Sequence, residues 1–228
     1  MKNLLSDFLS IIYPDLCLIC GENLMKNETQ ICTSCLSQIP RTNYHLQVYN
    51  PLEKRFWGKV PVFRATAFFY FQKGSPFQKL LHELKYRDNK EIGEIMGKHA
   101  AVDLLDHSDF KSVDVIIPIP LHPKKLKKRG YNQSDCICLG LAQILNKPID
   151  TTTIKRSVEN TTQTKKSVFE RFANTDGIFE LTDHSALENK HVLLVDDVVT
   201  TGSTIEAAAS VLHKVSNIKI SVFCLAMA

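Results

Sequence analysis

One stretch near the carboxyl end of the chain, residues 191–204, combines an apolar run, two carboxylates and a polar loop. It reads HVLLVDDVVTTGST, and its first five residues are typical of a central parallel strand. Asp196 and Asp197 follow this run, and a helix is predicted to begin near Ser203, with Glu206 at the spacing of a capping box. The segment therefore favours an α/β fold in which strand, loop and helix succeed one another.

The loop of residues 200–204 is suited to bind a phosphate. A loop that enters a helix offers unpaired backbone N–H groups at the positive end of the helix dipole. Gly202 permits close approach of the backbone to a ligand. The loop also carries four hydroxyl side chains, those of Thr200, Thr201, Ser203 and Thr204.

The two carboxylates suit the sugar that would accompany such a phosphate. Asp196 and Asp197 stand at the carboxyl end of the strand, where they can accept hydrogen bonds from a diol or face a hard cation. A ribose 5-phosphate unit fits both the acids and the loop. The alternatives are a Walker-B-like strand end and a solvated acidic turn.

Two Cys-x2-Cys pairs lie in the first fifty residues, Cys17 with Cys20 and Cys32 with Cys35. Pairs at this separation can place four thiolates around one tetrahedral zinc ion, which leaves no open position and indicates a structural role. So short a segment has little core of its own, so the metal would supply much of its folding free energy. Disulfides and a redox pair are the alternatives, and an odd total of seven cysteines disfavours a disulfide framework.

Composition limits the architecture and the compartment. With 228 residues and 44% hydrophobic content, the chain can bury one core plus a small appendage. We predict an amphipathic N-terminal helix with a zinc ribbon over residues 1–50 and a main domain over 51–228. No apolar run is long enough to cross a bilayer, and Asp7 interrupts the N-terminal apolar segment, so we expect a cytoplasmic protein without membrane insertion.

Strands and helices alternate in the main domain, which predicts a parallel sheet with right-handed crossovers. Strands are predicted over 62–71, 113–119 and 218–227, and helices over 91–105 and 131–145. Phe77, Leu80, Leu81 and Leu84 predict a further helix, which is followed by Lys85 and Arg87. These two cations are either solvated or part of a functional signature.

The most basic part of the chain follows the strand predicted over 113–119. Its cations are Lys124, Lys125, Lys127, Lys128 and Arg129. Such a run is often a solvated loop, but this one follows the carboxyl end of a parallel strand, where open α/β sheets bind ligands. A nucleic-acid backbone is another partner that these lysines suit.

The segment VLLVDDVVTTGST resembles the phosphoribosyl-diphosphate (PRPP) binding motif of type I phosphoribosyltransferases. The whole chain resembles the ComF family of phosphoribosyltransferase-like proteins, which is linked to DNA uptake in competent bacteria. The resemblance implies a type I phosphoribosyltransferase fold, a parallel sheet with flanking helices, preceded by a small N-terminal helix and a four-cysteine zinc ribbon.

The resemblance also implies a role for each part of the site. PRPP would bind with Mg²⁺, its ribose hydroxyls on Asp196 and Asp197 and its 5-phosphate on residues 200–204. The pyrophosphate loop would comprise Arg129, Gly130, Asn132 and Gln133. The polar stretch over 151–174 lacks periodicity and is either disordered or a lid. The resemblance favours a lid that includes Arg156, Gln163 and Arg171.

Two functions remain open at this point. The first is phosphoribosyl transfer with release of pyrophosphate; Thr200 stands where purine-salvage members carry an acid/base Asp, which argues against purine salvage. The second is a non-catalytic module of the competence machinery that senses PRPP or handles single-stranded DNA beside competence proteins. Tyr44, Trp57 and Tyr131 are candidates for base stacking in that role.

Overall fold

The structure is a computed structural model that describes residues 14–156 and 178–228. The predicted N-terminal helix and the predicted lid residues Gln163 and Arg171 lie outside the described residues. Within the described ranges, no helix is both long enough and apolar enough to cross a membrane.

The described part of the chain contains a four-stranded parallel sheet in the order β1-β6-β5-β2. Its strands are β1 (Arg64–Tyr70), β2 (Val115–Pro118), β5 (His191–Val199) and β6 (Lys219–Met227). A separate antiparallel pair consists of β3 (Ile154–Arg156) and β4 (Phe179–Leu181). The parallel sheet predicted from the alternation of strands and helices is confirmed.

The helices connect and cover these strands. They are α1 (Thr33–Ser37), α2 (Pro51–Lys54), α3 (Gln78–Tyr86), α4 (Lys90–Leu105), α5 (Ser108–Lys111), α6 (Pro123–Arg129), α7 (Gln133–Leu145) and α8 (Ser203–Leu212). Short 3-10 turns occur at Tyr44–Leu46 and Ser185–Leu187.

Apolar side chains cover both faces of the sheet. On β5, Leu193 and Val195 belong to a buried cluster with α3, α4 and α7. Val192 and Leu194 belong to a second cluster with α8 and the segment 44–60. Since both faces of β5 are buried, its sequence is a continuous apolar run rather than an alternating one.

Helices α4 and α7 approach each other at two glycines. A Cβ on Gly97 would collide with the carbonyl oxygen of Ile137, and a Cβ on Gly140 would collide with that of Glu94. Their lack of side chains lets the two helix backbones touch.

The cysteine-bearing segment packs against the main body of the fold. Cys17, Ile19 and Cys35 share the buried cluster of α3 and α4. Lys79 of α3 donates from Nζ to the carbonyl oxygen of Ile19 at 2.7 Å, and the Asn89 amide donates to Gln30 Oε1 at 2.7 Å. The ribbon is therefore fixed to the helix that follows β1.

The basic run is a helix, not the predicted loop. Pro123 occupies the first turn of α6, and the His122 ring accepts from the Lys124 N–H at 3.2 Å. Gly130 ends the helix in the left-handed region at φ 78°. Proline at the start and glycine at the end are ordinary helix boundary signals, which the density of positive charge obscured.

Candidate functional site

The site begins at the carboxyl end of β5, which is longer than predicted. The predicted strand ended at Val195, whereas Asp196 and Val198 still pair with Cys224 and Ala226 of β6. The extension follows from the length of β6, which runs to Met227. On its other side β5 loses its partner, because β2 ends at Pro118, opposite Val195.

The two carboxylates, Asp196 and Asp197, lie beside different groups. Asp196 lines a small cleft with residues 198–205. The Oδ2 atom of Asp197 lies 3.0 Å from Nζ of Lys85, which is at the end of α3. Successive side chains of a strand point to opposite faces, so adjacent acids can meet two different groups.

The loop after β5 leads into α8 without a side-chain cap. The predicted capping box is wrong: the N-cap is Gly202 in the left-handed region at φ 86°, and Ser203 is the first helical residue. Glu206 directs its carboxylate to Lys59, at 3.3 Å, rather than back to the helix end. The Gly202 cap therefore has no side chain to accept from the first amide groups of the helix, and Glu206 is directed away from them.

Backbone amides and hydroxyls of residues 199–205 line this cleft, and we call these residues the phosphate cradle because a phosphate is predicted to bind there. Of its amides from Thr200 to Ile205, only that of Ser203 has an acceptor among the described residues, the Thr201 hydroxyl at 3.4 Å. The Thr201 and Ser203 hydroxyl oxygens lie 3.1 Å apart. The cleft measures about 30 Å³. Unpaired amides at a helix start are suited to an anion.

Glycine is required at position 202 by the left-handed backbone conformation and also by a close contact with Phe56. A Cβ at this position would lie 3.2 Å from Cε1 of Phe56, so this ring supports the loop from below. Phe56 belongs to the segment after α2 and is buried. The sequence alone gives no sign of this contact, because nothing local connects residue 56 to residue 202.

Burial gives Asp196 an unusual protonation equilibrium. Burial is the larger cause and the charge of Asp197 is the next, and together they raise the pKa of Asp196 to about 7. Arg156, at the end of β3, interacts favourably with Asp196, while burial lowers the pKa of Arg156 itself. The Arg156 guanidinium also lies 5.3 Å from the centre of the Phe179 ring. Arg156, the one described residue among the three that the lid prediction names, is therefore close to Asp196.

A basic cavity of about 580 Å³ lies beside Lys85, the ion-pair partner of Asp197. Its lining residues are Lys85, Tyr86, Asp88, Lys125, Lys127, Lys128, Arg129, Gly130 and Tyr131. Five cations and one carboxylate face this space, which favours anions. Since Lys85 also contacts Asp197, the basic cavity and the acids are neighbours.

Hydrogen bonds fix the turn between α6 and α7, and they involve Arg129, Asn132 and Gln133. Arg129 donates from a guanidinium nitrogen to Gln133 Oε1 at 2.7 Å. The buried Asn132 amide donates to the Ile119 carbonyl at 3.0 Å, and its Oδ1 accepts from the Ser134 N–H at 3.4 Å. These contacts tie the turn to the end of β2 and leave the guanidinium facing the basic cavity.

The aromatic candidates fall into two groups. Tyr44 and Tyr131 are buried, and the Tyr131 hydroxyl donates to the carbonyl oxygen of Leu84, so both rings are part of the core. Trp57 is 57% exposed. Tyr86, which was not among the predicted stacking candidates, is 65% exposed, and its ring centre lies 5.7 Å from the Arg129 guanidinium.

The four cysteines of the ribbon meet at one point. The sulfur atoms of Cys17, Cys20, Cys32 and Cys35 all lie within 4.8 Å of one another, and those of Cys20 and Cys32 are 3.8 Å apart. Tetrahedral zinc with Zn–S bonds of about 2.3 Å requires sulfur separations near 3.8 Å, so this set fits the ion.

Backbone N–H groups donate to two of the four sulfurs and favour a thiolate at Cys17, whereas burial raises the pKa of Cys35. The Cys32 N–H donates to the Cys17 sulfur at 3.3 Å, and the Cys35 N–H donates to the Cys32 sulfur at 3.4 Å. Burial opposes ionisation of Cys17, but hydrogen bonds from neighbouring residues outweigh it and lower the pKa of Cys17 to about 6. A thiolate is the form that binds zinc.

The other three cysteines lie apart from this set. Cys136 and Cys138 are in α7 and Cys224 is in β6, and all three are buried. Burial raises the pKa of the Cys224 thiol. All three are small side chains of the core.

Comparison with known proteins places this arrangement in a family. The Phosphoribosyl transferase domain matches residues 138–228, which include β5, the phosphate cradle and α8. Competence protein F of Haemophilus influenzae is 28% identical over 228 residues, covering 93% of this chain and 96% of that protein. DNA utilization protein YhgH of Salmonella typhimurium is 32% identical over 153 residues, 66% of each chain.

A protein of Bacillus subtilis and a solved structure are also similar to this chain. Competence protein ComFC of Bacillus subtilis is 26% identical over 223 residues and covers 87% of this chain and 88% of that protein. A purine phosphoribosyltransferase structure from Pyrococcus horikoshii Ot3 is 22% identical with a TM-score of 0.38, and covers 58% of this chain and 74% of that chain. From its sequence relatives and its domain match, the chain belongs to the ComF family of proteins with a type I phosphoribosyltransferase fold.

Proposed function

We propose that this protein binds PRPP with Mg²⁺ and transfers its phosphoribosyl group to an acceptor with release of pyrophosphate, in a cytoplasmic role linked to competence. One observation carries the proposal: the phosphate cradle, the acid pair and the basic cavity are contiguous at one edge of the sheet. A 5-phosphate, a ribose diol and a diphosphate follow one another in the same order in PRPP.

Each part of the ligand has a matching partner. The 5-phosphate would lie on the unpaired amides and hydroxyls of residues 200–204. The ribose hydroxyls would donate to Asp196 and Asp197. The diphosphate would face Arg129 and the cations of the basic cavity. Arg156, which already interacts with Asp196, would cover the site from the side of β3.

The chemistry would be mainly electrostatic. In phosphoribosyl transfer the bond from the anomeric carbon to the diphosphate oxygen breaks and its electron pair leaves with the diphosphate. The acceptor's lone pair forms the new bond to the anomeric carbon. Arg129 and the cavity lysines would stabilise the departing negative charge, and the acid pair would face the positive charge that develops on the sugar.

Mg²⁺ would be held by the acid pair together with oxygens of the ligand. Carboxylate oxygens are the donors that this hard cation prefers, and it commonly bridges one or two carboxylates and substrate phosphates. When bound, it supplies charge neutralisation of the diphosphate.

Calorimetry with a series of partial ligands tests the binding proposal. With Mg²⁺ present, PRPP is expected to bind more tightly than either ribose 5-phosphate or pyrophosphate, each of which satisfies only part of the site. The melting temperature should rise with PRPP concentration, because a ligand bound only to the native state stabilises it. Equal affinity for PRPP and pyrophosphate would show that the cradle and the acids do not take part. Pyrophosphate release measured across candidate acceptors then tests for turnover.

A second candidate function is the handling of single-stranded DNA, and the basic cavity favours it. Lys124, Lys125, Lys127 and Lys128 of α6 are exposed, and more cations face this side of the molecule than one diphosphate needs. Tyr86 stands exposed beside them with Arg129 near its ring. A basic surface with an accessible ring is the usual combination for single strands.

Tyr86→Ala is the variant that tests the DNA function. Loss of one stacked base is expected to weaken binding of a short oligonucleotide by about tenfold. Tyr49→Ala, which removes a ring that is 68% exposed elsewhere on the surface, serves as the control and should leave the affinity unchanged. Fluorescence anisotropy at several salt concentrations measures both. Similar losses in the two variants would show that DNA does not use the basic cavity.

A further inference from the structure

Lys85 is placed between the two halves of the proposed site. Its ammonium lies 3.0 Å from Asp197 Oδ2, and its side chain also lines the basic cavity. The side chains of Lys85 and Asp197 are only 22% and 15% exposed. An ion pair this deep is costly to build unless the geometry is well fixed.

Helix α3 fixes that geometry at three points. Leu80, Leu81 and Leu84 are buried against the core. The Leu84 carbonyl accepts from the Tyr131 hydroxyl, and Lys79 anchors the other end of the helix to the ribbon through the Ile19 carbonyl. The backbone of residue 85 is thus held in place, while its flexible four-carbon stem can still move the ammonium.

We propose that Lys85 is a counter-ion gate: it occupies Asp197 in the empty site, keeps a free divalent cation out, and turns to the diphosphate when PRPP arrives. This inference rests on the proposed function, since it assigns a further ligand-binding residue to the same site. It assigns a chemical role to a residue for which the sequence left solvation and function equally open.

The gate follows from simple electrostatics. A carboxylate already neutralised by an ammonium at 3.0 Å is a poor ligand for Mg²⁺, because the metal would have to displace the ammonium or accept its repulsion. An incoming diphosphate changes the balance, since it offers Lys85 a stronger anion among the cations of the cavity. Asp197 is then released for the sugar and the metal, so metal and PRPP enter together.

Mn²⁺ binding to the full chain without PRPP, followed by electron paramagnetic resonance, tests the gate. Wild type is expected to bind Mn²⁺ weakly, whereas Lys85→Met should bind it at least about tenfold more tightly because Asp197 loses its counter-ion. Lys85→Arg keeps the charge and should restore the wild-type value. Adding Asp197→Asn to Lys85→Met should abolish the gain.

The matched control is Lys98→Met, which breaks a lysine–carboxylate pair of 2.8 Å with Glu94 on α4, away from the acid pair. It should leave Mn²⁺ binding at the wild-type level. Lys85→Gln is made as well, because its amide can still donate to Asp197 and preserve the fold if Lys85→Met does not. A folded Lys85→Gln or Lys85→Met protein with wild-type Mn²⁺ affinity overturns the gate.

PRPP binding separates this inference from the function on which it rests. If wild type fails to bind PRPP, the proposed function fails, yet the Mn²⁺ measurement still tests whether Lys85 blocks the acids. If wild type binds PRPP but Lys85→Met binds it equally well, Lys85 does not turn to the diphosphate. The gate predicts a loss of about tenfold in that variant, as expected for a lost charged contact.

Discussion

Removal of zinc from the ribbon is expected to destabilise the whole protein rather than the ribbon alone. Purified protein should contain one zinc per chain, and a strong chelator should lower its melting temperature by at least about 10 °C. Structural zinc contributes about 10–16 kcal/mol to small isolated modules, and this chain buries Cys17, Cys32 and Cys35 in the same cluster as α3. Loss of the metal would therefore expose the face of α3 that the ribbon covers.

Cysteine variants separate the metal from the thiols. Cys20→Ser alters the most exposed of the four ligands and should lose zinc and stability together. Cys138→Ala is the control, since it removes a buried thiol that lies in α7 outside the cluster. It should keep its zinc, and its free energy of unfolding should fall only by the contribution of one small core side chain. Less than half a zinc per chain in the wild type, measured by plasma mass spectrometry, would contradict the site.

The parts of the fold that sequence predicted well are those with a strong local signal. The run 192–195 is apolar on both faces, which few elements other than a central strand require. The two cysteine pairs likewise have a spacing that suits a single ion, and their sulfurs do converge. In both cases neighbouring residues carry the information.

The parts that sequence missed depend on contacts between distant segments. The capping box at Ser203 has the correct spacing, but Glu206 finds Lys59 instead, and Gly202 takes the cap. Tyr131 and Tyr86 are both aromatic residues in polar surroundings, yet only the fold decides that the first is buried and the second exposed. Local spacing carries no information about such partners.

The pairing of Lys85 with Asp197 is the clearest example in the site. In sequence, Lys85 is a cation at a helix end, and solvation is the ordinary fate of such a residue. Its role depends on the order of the sheet and on the docking of α3, which bring the two residues to 3.0 Å. Polar side chains at the carboxyl edge of a parallel sheet are therefore best judged after the topology is known.

Asp196→Asn is expected to abolish most PRPP affinity while leaving the protein at least as stable as the wild type. Burial and the adjacent charge of Asp197 raise the pKa of Asp196 to about 7, so the folded protein holds this carboxylate at a cost. Asparagine has the same shape and no charge, so it removes that cost. A site kept for a ligand rather than for stability behaves in this way.

The loss of affinity follows from the hydrogen bonds that the carboxylate would accept. Hydrogen bonds to charged groups contribute about 1.5–3 kcal/mol each. The variant loses the charged acceptor of a ribose hydroxyl and also the contact to Mg²⁺, so its affinity for PRPP should fall by roughly a hundredfold. Calorimetry at pH 8, where Asp196 is ionised, measures the difference. Pyrophosphate, which does not reach the cradle, should lose much less affinity than PRPP.

Asp15→Asn provides the matched control, because it makes the same isosteric change at an exposed carboxylate in the cysteine-bearing segment. It should change neither the melting temperature nor PRPP binding. If Asp196→Asn instead melts well below the wild type, the carboxylate supports the fold, and its place at the end of β5 is structural. If the variant is stable and binds PRPP normally, the sugar does not contact Asp196. Only a stable variant that has lost PRPP binding is consistent with a half-buried carboxylate held in an unfavourable position for its ligand.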